Sequence, residues 1–234
     1  MKIFYRISDA GYEKNKPDYI NNESCLKNFT KVFAEHNNNI FVTADNVSED
    51  TYNMICKYIK EDNITRVSIG HGAGTFNLTL DQALQENDDE VIYFVENDYL
   101  HRAGSPDILF EGLSLGFPYL TLYDHPDKYI DPAMGGNPFC QGNAENTRVY
   151  RTYSCHWKIT NSTTMTFASR VKDLKIDETI MRKWTSDIHP NDFQMFLEIR
   201  NNSRFLLSPL PSYSTHGEVE WLAPIINWKD TINV

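Results

Sequence analysis

Val91-Ile92-Tyr93-Phe94-Val95-Glu96-Asn97-Asp98-Tyr99-Leu100-His101 is the stretch that decides how this chain folds. The five residues Val91 to Val95 favour strands and run without polar alternation, the pattern of a strand covered on both faces inside a parallel α/β sheet. They lead straight into Glu96-Asn97-Asp98. Carboxylates at the carboxyl end of such a strand lie in the crevice where open α/β sheets bind ligands. Two acids one residue apart repel each other unless something positive lies with them, and a divalent cation is the usual partner.

Upstream of this strand the chain alternates. Lys2 to Ile7 reads as a first strand that stops in the turn chemistry of Ser8-Asp9-Ala10-Gly11. The near-helical spacing of Leu26, Phe29, Val32 and Phe33 predicts a helix over Cys25 to His36. Ile40 to Thr43 follows as a second strand leading to Asp45, and Ser48 caps a helix with Tyr52, Ile55, Cys56 and Ile59 on one face. Thr65 to Ile69 is a third strand, followed at once by Gly70-His71-Gly72-Ala73-Gly74-Thr75. That run lacks the Lys-Ser/Thr of a P-loop and the third glycine of a dinucleotide fingerprint. It either brings backbone, and a helix starting near Thr79, close to a ligand or is a plain strand-to-helix turn. The alternation predicts an α/β fold with a mostly parallel sheet, and each strand ends in polar or small residues at one common edge. Arg6, Ser8, Asp9, Asp45, Gly72, Ala73, Gly74, Glu96, Asn97 and Asp98 converge there.

The second half is mixed. Pro106 to Leu113 reads as a helix and Tyr119 to Tyr123 as a strand, while the stretch from Asp131 to Asn146 has loop composition. Arg148 to Trp157 and Ser162 to Phe167 read as an antiparallel pair. His189-Pro190-Asn191-Asp192 opens a helix whose core face is read as Phe193, Phe196 and Leu197. Asp192 at that N-terminus is either a favourable partner of the helix dipole or a functional acid. Pro209 to Glu218 reads as a loop carrying a single histidine, His216, and Trp221, Leu222, Ile225 and Trp228 are expected to pack the tail.

With 234 residues, 41% of them hydrophobic, and no low-complexity stretch, a single domain over 1–234 is expected, with a first half to about 105 and a second from about 106. The formal net charge of -10 argues against a nucleic-acid partner. An acidic chain still holds an anionic nucleotide where local cations supply the field. The four cysteines form no CxxC pair, no segment is apolar for long enough to span a bilayer, and no signal-peptide pattern opens the chain, so a cytoplasmic location is expected.

The apolar strand closing on Glu96-Asn97-Asp98 resembles the DxD element of GT-A-fold glycosyltransferases, with Glu in place of the first Asp. More narrowly, the chain is similar to the small glycosyltransferase domains that large algal DNA viruses use on capsid glycans. The resemblance implies a GT-A-like, Rossmann-like sheet whose first half holds a nucleotide-sugar donor and whose second half faces the acceptor. It implies Asp98 as a ligand of Mn²⁺ or Mg²⁺, with His216 returning from the tail to complete the site and Glu96 close by. Arg6, Ser8, Asp9, Asp45, the Gly72-Ala73-Gly74 run, Glu96 and Asn97 would then meet the nucleotide. Asp192 would be the general base of an inverting transfer, better placed than Asp187, with Asp124 as a further candidate. The implied partners are a UDP-sugar and a glycan or glycoprotein acceptor. Two other functions fit the residues: a nucleotidyltransferase, which would want a Lys or Arg beside its triphosphate, and a non-catalytic carbohydrate-binding or assembly protein.

Overall fold

The computed structural model describes residues 1–10 and 14–233. The turn expected at Ser8 to Gly11 is seen only as far as Ala10, since Gly11 lies outside the described residues. The first half runs β1 (Lys2–Ser8), α1 (Asn22–Val32), β2 (Ile40–Asp45), α2 (Glu49–Cys56), β3 (Ile64–Val67), α3 (Gly72–Ala83), β4 (Val91–Glu96) and β5 (Tyr99–His101). The second runs α4 (Ser105–Leu113), β6 (Tyr119–Leu120), β7 (Val149–Arg151), β8 (His156–Thr160), β9 (Phe167–Arg170), α5 (Val171–Trp184), α6 (Asp192–Asn201), β10 (Leu206–Leu210) and β11 (Ser214–His216).

Among the described residues, nine strands form one sheet in the order β3-β2-β1-β4-β9-β6-β10-β8-β7. Strands β3, β2, β1 and β4 pair in parallel, as the alternating first half requires. Following the pairings across the sheet, only β8 and β9 run against the other seven strands. This mostly parallel first half with a mixed second half is the predicted fold class.

The unbroken apolar run of β4 has a direct packing cause. Tyr93 and Val95 face one core with Ile3, Tyr5 and Ile7 of β1 and Leu26, Phe29 and Phe33 of the α1 segment. Ile92 and Phe94 face a second core with Phe4 of β1, Phe76 and Leu80 of α3, Val171, Leu174 and Met181 of α5, and Met195, Phe196 and Ile199 of α6. Both faces are covered, so no position in the strand has water to favour a polar residue. Burying each large apolar side chain contributes about 1.5–3 kcal/mol.

Several expectations are corrected. Helix α1 starts before Cys25 because Asn21 and Ser24 form a reciprocal capping box. The glycine run is not a loop ahead of a later helix: α3 begins at Gly72, with His71 Nδ1 accepting from Gly74 N at 3.0 Å. Residues 162–166 are not a strand, and the antiparallel partner of β7 is β8. Helix α5 and strand β10 were not anticipated. The buried face of α6 is Met195, Phe196 and Ile199, with Phe193 and Leu197 only partly covered. In the tail Trp228 is buried, whereas Ile225 is 87% exposed.

Candidate active site

The strand ends of the first half, the start of α3 and the start of α6 enclose an open cleft of about 1500 Å³. Arg6, Ser8, Asp9, Asp45, Gly72, Glu96, Asn97, Asp98, Asp192 and His216 all line it. Ala73 and Gly74 do not, because they lie within the first turn of α3. Ala73 is fully buried, and a Cβ on Gly74 would meet Ile69 Cγ2 at 2.5 Å and His71 Cε1 at 2.8 Å. Those two residues serve packing of the helix start rather than ligand contact.

His216 reaches the site by sheet geometry, not from a loop. Strand β11 pairs antiparallel with β5, and the register sets His216 opposite Tyr99, the neighbour of Asp98. The close approach needs the next residue to be glycine, since a Cβ on Gly217 would lie 2.6 Å from the Asp98 carbonyl oxygen and 2.6 Å from Ile20 Cγ2. His216 Nε2 then stands 3.4 Å from Asp98 Oδ2.

What lies between the carboxylate and the imidazole is an ammonium. Lys14 Nζ is 2.8 Å from Asp98 Oδ2 and 3.1 Å from His216 Nε2, and Lys16 Nζ is 3.5 Å from the same Asp98 oxygen. Burial pushes the Asp98 carboxyl up, but His216, Lys14 and Lys16 together hold it well below the usual carboxylate range. Glu96 is likewise paired, with Arg6 Nη2 at 3.4 Å and Thr164 Oγ1 donating at 2.7 Å. Both acids therefore have the positive partners that their proximity demands, and those partners are side chains.

This arrangement does not fit the expected Mn²⁺ or Mg²⁺. Among the described residues no group of three or more His, Cys, Asp or Glu side chains is arranged to hold a metal ion. A dication about 4 Å from an ammonium is repelled by roughly 8 kcal/mol at an effective dielectric near 20. Asp98 Oδ2 has two ammonium groups beside it.

Several residues expected to meet a nucleotide are tied into the protein. Asp45 accepts from Ile69 N at 2.7 Å and from Gly70 N at 2.8 Å, fixing the turn into α3. Asp9 accepts from Ser48 N and Thr51 Oγ1, both at 2.8 Å, clipping the start of α2 to the end of β1. Burial raises the Asp9 carboxyl, and these donors more than reverse that, leaving it lowered. Arg6 donates to the carbonyl oxygens of Gly72 and Met165 at 3.2 and 3.0 Å. Asn97 Nδ2 donates to Asn22 Oδ1 at 2.6 Å and to the Ser8 carbonyl at 3.3 Å. These residues build the cleft wall. Thr75, Thr164 and His189 also line the open volume.

Asp192 is half-buried at the first position of α6, where Asn191 is the cap and Phe193 N donates to Asp192 Oδ1 at 2.6 Å. The helix dipole alone would keep this carboxyl acidic. Instead, burial and the negative charge of Glu96 raise it to about 7, with the Phe193 N–H opposing. The two rival acids are committed or remote. Asp124 Oδ1 pairs with Lys158 at 2.7 Å and its Oδ2 accepts from Tyr129 at 2.7 Å, while Asp187 is exposed and accepts from Ile188 N.

Lys14 and Lys16 escaped sequence reasoning. They lie outside any periodic element, and only the β4–β5 turn brings Asp98 to them. Chemically, the site offers two ammonium groups near one wall, a carboxylate poised near neutrality on another, and room between them for a nucleotide-sized anion.

No protein-family model and no curated protein matches the chain. Among solved structures, S. aureus TarS 1–349 superposes with a TM-score of 0.52 at 15% identity, covering 89% of this chain and 58% of that one. The chain thus spans little more than half of that structure. CMP:2-keto-3-deoxy-manno-octonic acid synthetase in complex with CTP superposes with a TM-score of 0.51 at 10% identity, covering 88% of each chain. At these identities the likeness is one of fold. No helix among the described residues is long and apolar enough to cross a membrane. The chain has a GT-A-like α/β fold, with a mostly parallel central sheet and flanking helices.

Proposed function

We propose that this protein is a glycosyltransferase that moves a sugar from a nucleotide-diphosphate donor, a UDP-sugar in the first instance, to a hydroxyl of a glycan or glycoprotein with inversion at the anomeric carbon. The observation that carries the reading is Asp192, a carboxyl raised to about 7 in the same cleft as Glu96 and Asp98. A hydroxyl nucleophile needs a base whose basicity matches the working pH. In the transfer, the acceptor oxygen bonds to the anomeric carbon and its proton passes to Asp192. The bond from that carbon to the diphosphate breaks, and its electron pair leaves with the diphosphate. Acceptor sugars have an aromatic surface at hand, since the exposed Phe139 ring lies 6.4 Å from the ring of Phe193, the neighbour of Asp192.

A second reading has its own support. A nucleotidyltransferase wants lysines at its triphosphate, and Lys14 and Lys16 are in the cleft. Such an enzyme, when its nucleophile is a phosphate or carboxylate, has no need of a base like Asp192. A thermal-shift panel of nucleoside diphosphates, triphosphates and nucleotide sugars tests the two, because a ligand of the folded state raises the midpoint by mass action. The transferase reading expects the larger shift with diphosphates and nucleotide sugars. A shift with a triphosphate alone would move the assignment to the second reading.

A further inference from the structure

We infer that Lys14 and Lys16 take the place of a divalent ion at this site, so that the protein holds the diphosphate of its nucleotide ligand without metal. The inference rests on the donor-site reading above and goes beyond it, since that reading leaves the source of positive charge open.

Three observations meet here. The Lys14 ammonium bridges Asp98 Oδ2 and His216 Nε2, the two groups expected to share a metal, at 2.8 and 3.1 Å. Lys16 adds a second positive charge at 3.5 Å from the same oxygen. The segment that carries them is built into the fold: Val219 N donates to the carbonyl of Asn15, between the two lysines, at 2.8 Å, and Ile20 N donates to the carbonyl of Pro17 at 2.9 Å. This anchored segment brings both ammonium groups to the same Asp98 oxygen. Both lysine side chains keep part of their surface open, 19% and 29%, so an entering anion can reach them. A diphosphate entering the cleft finds donors already oriented and already paid for in conformational entropy by Asp98 and His216. When the donor bond breaks, the charge that develops on the diphosphate falls on these two groups.

Calorimetric titration of the full chain with UDP, and with CDP, GDP and ADP in turn, tests this, each in EDTA and again with Mn²⁺. The inference expects binding in EDTA within about threefold of that in Mn²⁺. Replacing both lysines by alanine should weaken binding in EDTA by about tenfold or more, while Lys14→Arg with Lys16→Arg retains most of it. Circular dichroism establishes that each variant is folded. Should the alanine pair fail to fold, the arginine pair and the EDTA comparison on the wild type decide. Binding that requires Mn²⁺, or that survives the alanine pair unchanged, overturns the lysine assignment and leaves the donor site standing. Absence of binding by any diphosphate under both conditions overturns the donor site and the lysine assignment together.

Discussion

Gly217 passes so close to Asp98 that a Cβ on it would lie 2.6 Å from the Asp98 carbonyl oxygen. This one contact fixes the turn after β4 against the end of β11 and thereby sets the distance from His216 to Asp98. Gly217→Ala must push the two backbones apart, an overpacking that typically costs about 1–3 kcal/mol. The expected outcome is a fall in melting temperature of roughly 2–4 °C per kcal/mol together with weaker nucleotide binding. Differential scanning calorimetry and titration check it, and unchanged values for both would show that the approach is not tight.

Asp192 gives a pH dependence with a defined sign. Its carboxyl is raised to about 7, so the base form appears only as pH rises through that value. The kcat/KM for transfer should climb with pH across about 6 to 8, and Asp192→Asn should abolish that limb. The linkage to stability runs the other way. A carboxyl raised on folding stabilises the native state below its unfolded pKa, and that contribution is lost as pH rises through about 7. Melting curves of wild type and Asp192→Asn should therefore converge at acid pH and separate toward alkaline pH, with the wild type the less stable there.

A second buried charge cluster lies under the loop that follows β6. Lys158, 3% exposed, pairs with Asp124 at 2.7 Å and with Glu145 at 3.2 Å, and its ammonium stands 4.6 Å from the centre of the Tyr129 ring. Desolvation lowers the lysine's affinity for its proton, but Asp124 and Glu145 overcome this and raise it. Removing one member of a buried pair leaves the other charge uncompensated, at a cost of about 3–5 kcal/mol. Chemical denaturation of Lys158→Ala should show a loss of that order, and Lys158→Met with Asp124→Leu should recover part of it. A loss below about 1 kcal/mol for the single variant would mean that water reaches the cluster.

The parts of the fold that were legible in sequence are those where one physical demand dominates. In β4 both faces are buried, so the strand reads as an apolar run, while β1 and β2 were marked by strand-favouring residues and by the turn chemistry after them. Asp98, His216 and Asp192 were singled out through the resemblance of Glu96-Asn97-Asp98 to a DxD element, and the structure sets all three on one cleft. Helix α5 was missed because its 14 residues, VKDLKIDETIMRKW, bury only Val171, Leu174, Asp177 and Met181, one of them an acid. Asp177 is buried because Arg204 Nε and Tyr119 Oη both donate to it at 2.7 Å, a compensation that local sequence does not display. Pro209 hid β10, and the three residues of β11 are too few to show a period. Lys14 and Lys16 were invisible as site residues for a different reason: their role depends on Asp98, 84 positions from Lys14. The sequence argument that the paired acids need positive charge was sound, and the structure supplies it from side chains.

The most direct test of the central claim is release of nucleoside diphosphate from a panel of nucleotide sugars, followed for wild type and Asp192→Asn side by side with and without candidate hydroxyl acceptors. The account predicts that the wild type releases diphosphate from at least one nucleotide sugar and faster with its acceptor. It predicts that Asp192→Asn binds that nucleotide sugar with similar affinity but turns over on the order of 10²-fold more slowly. Equal rates for the two proteins, a product that retains the donor's anomeric configuration, or pyrophosphate released from a nucleoside triphosphate in place of diphosphate from a nucleotide sugar would contradict it.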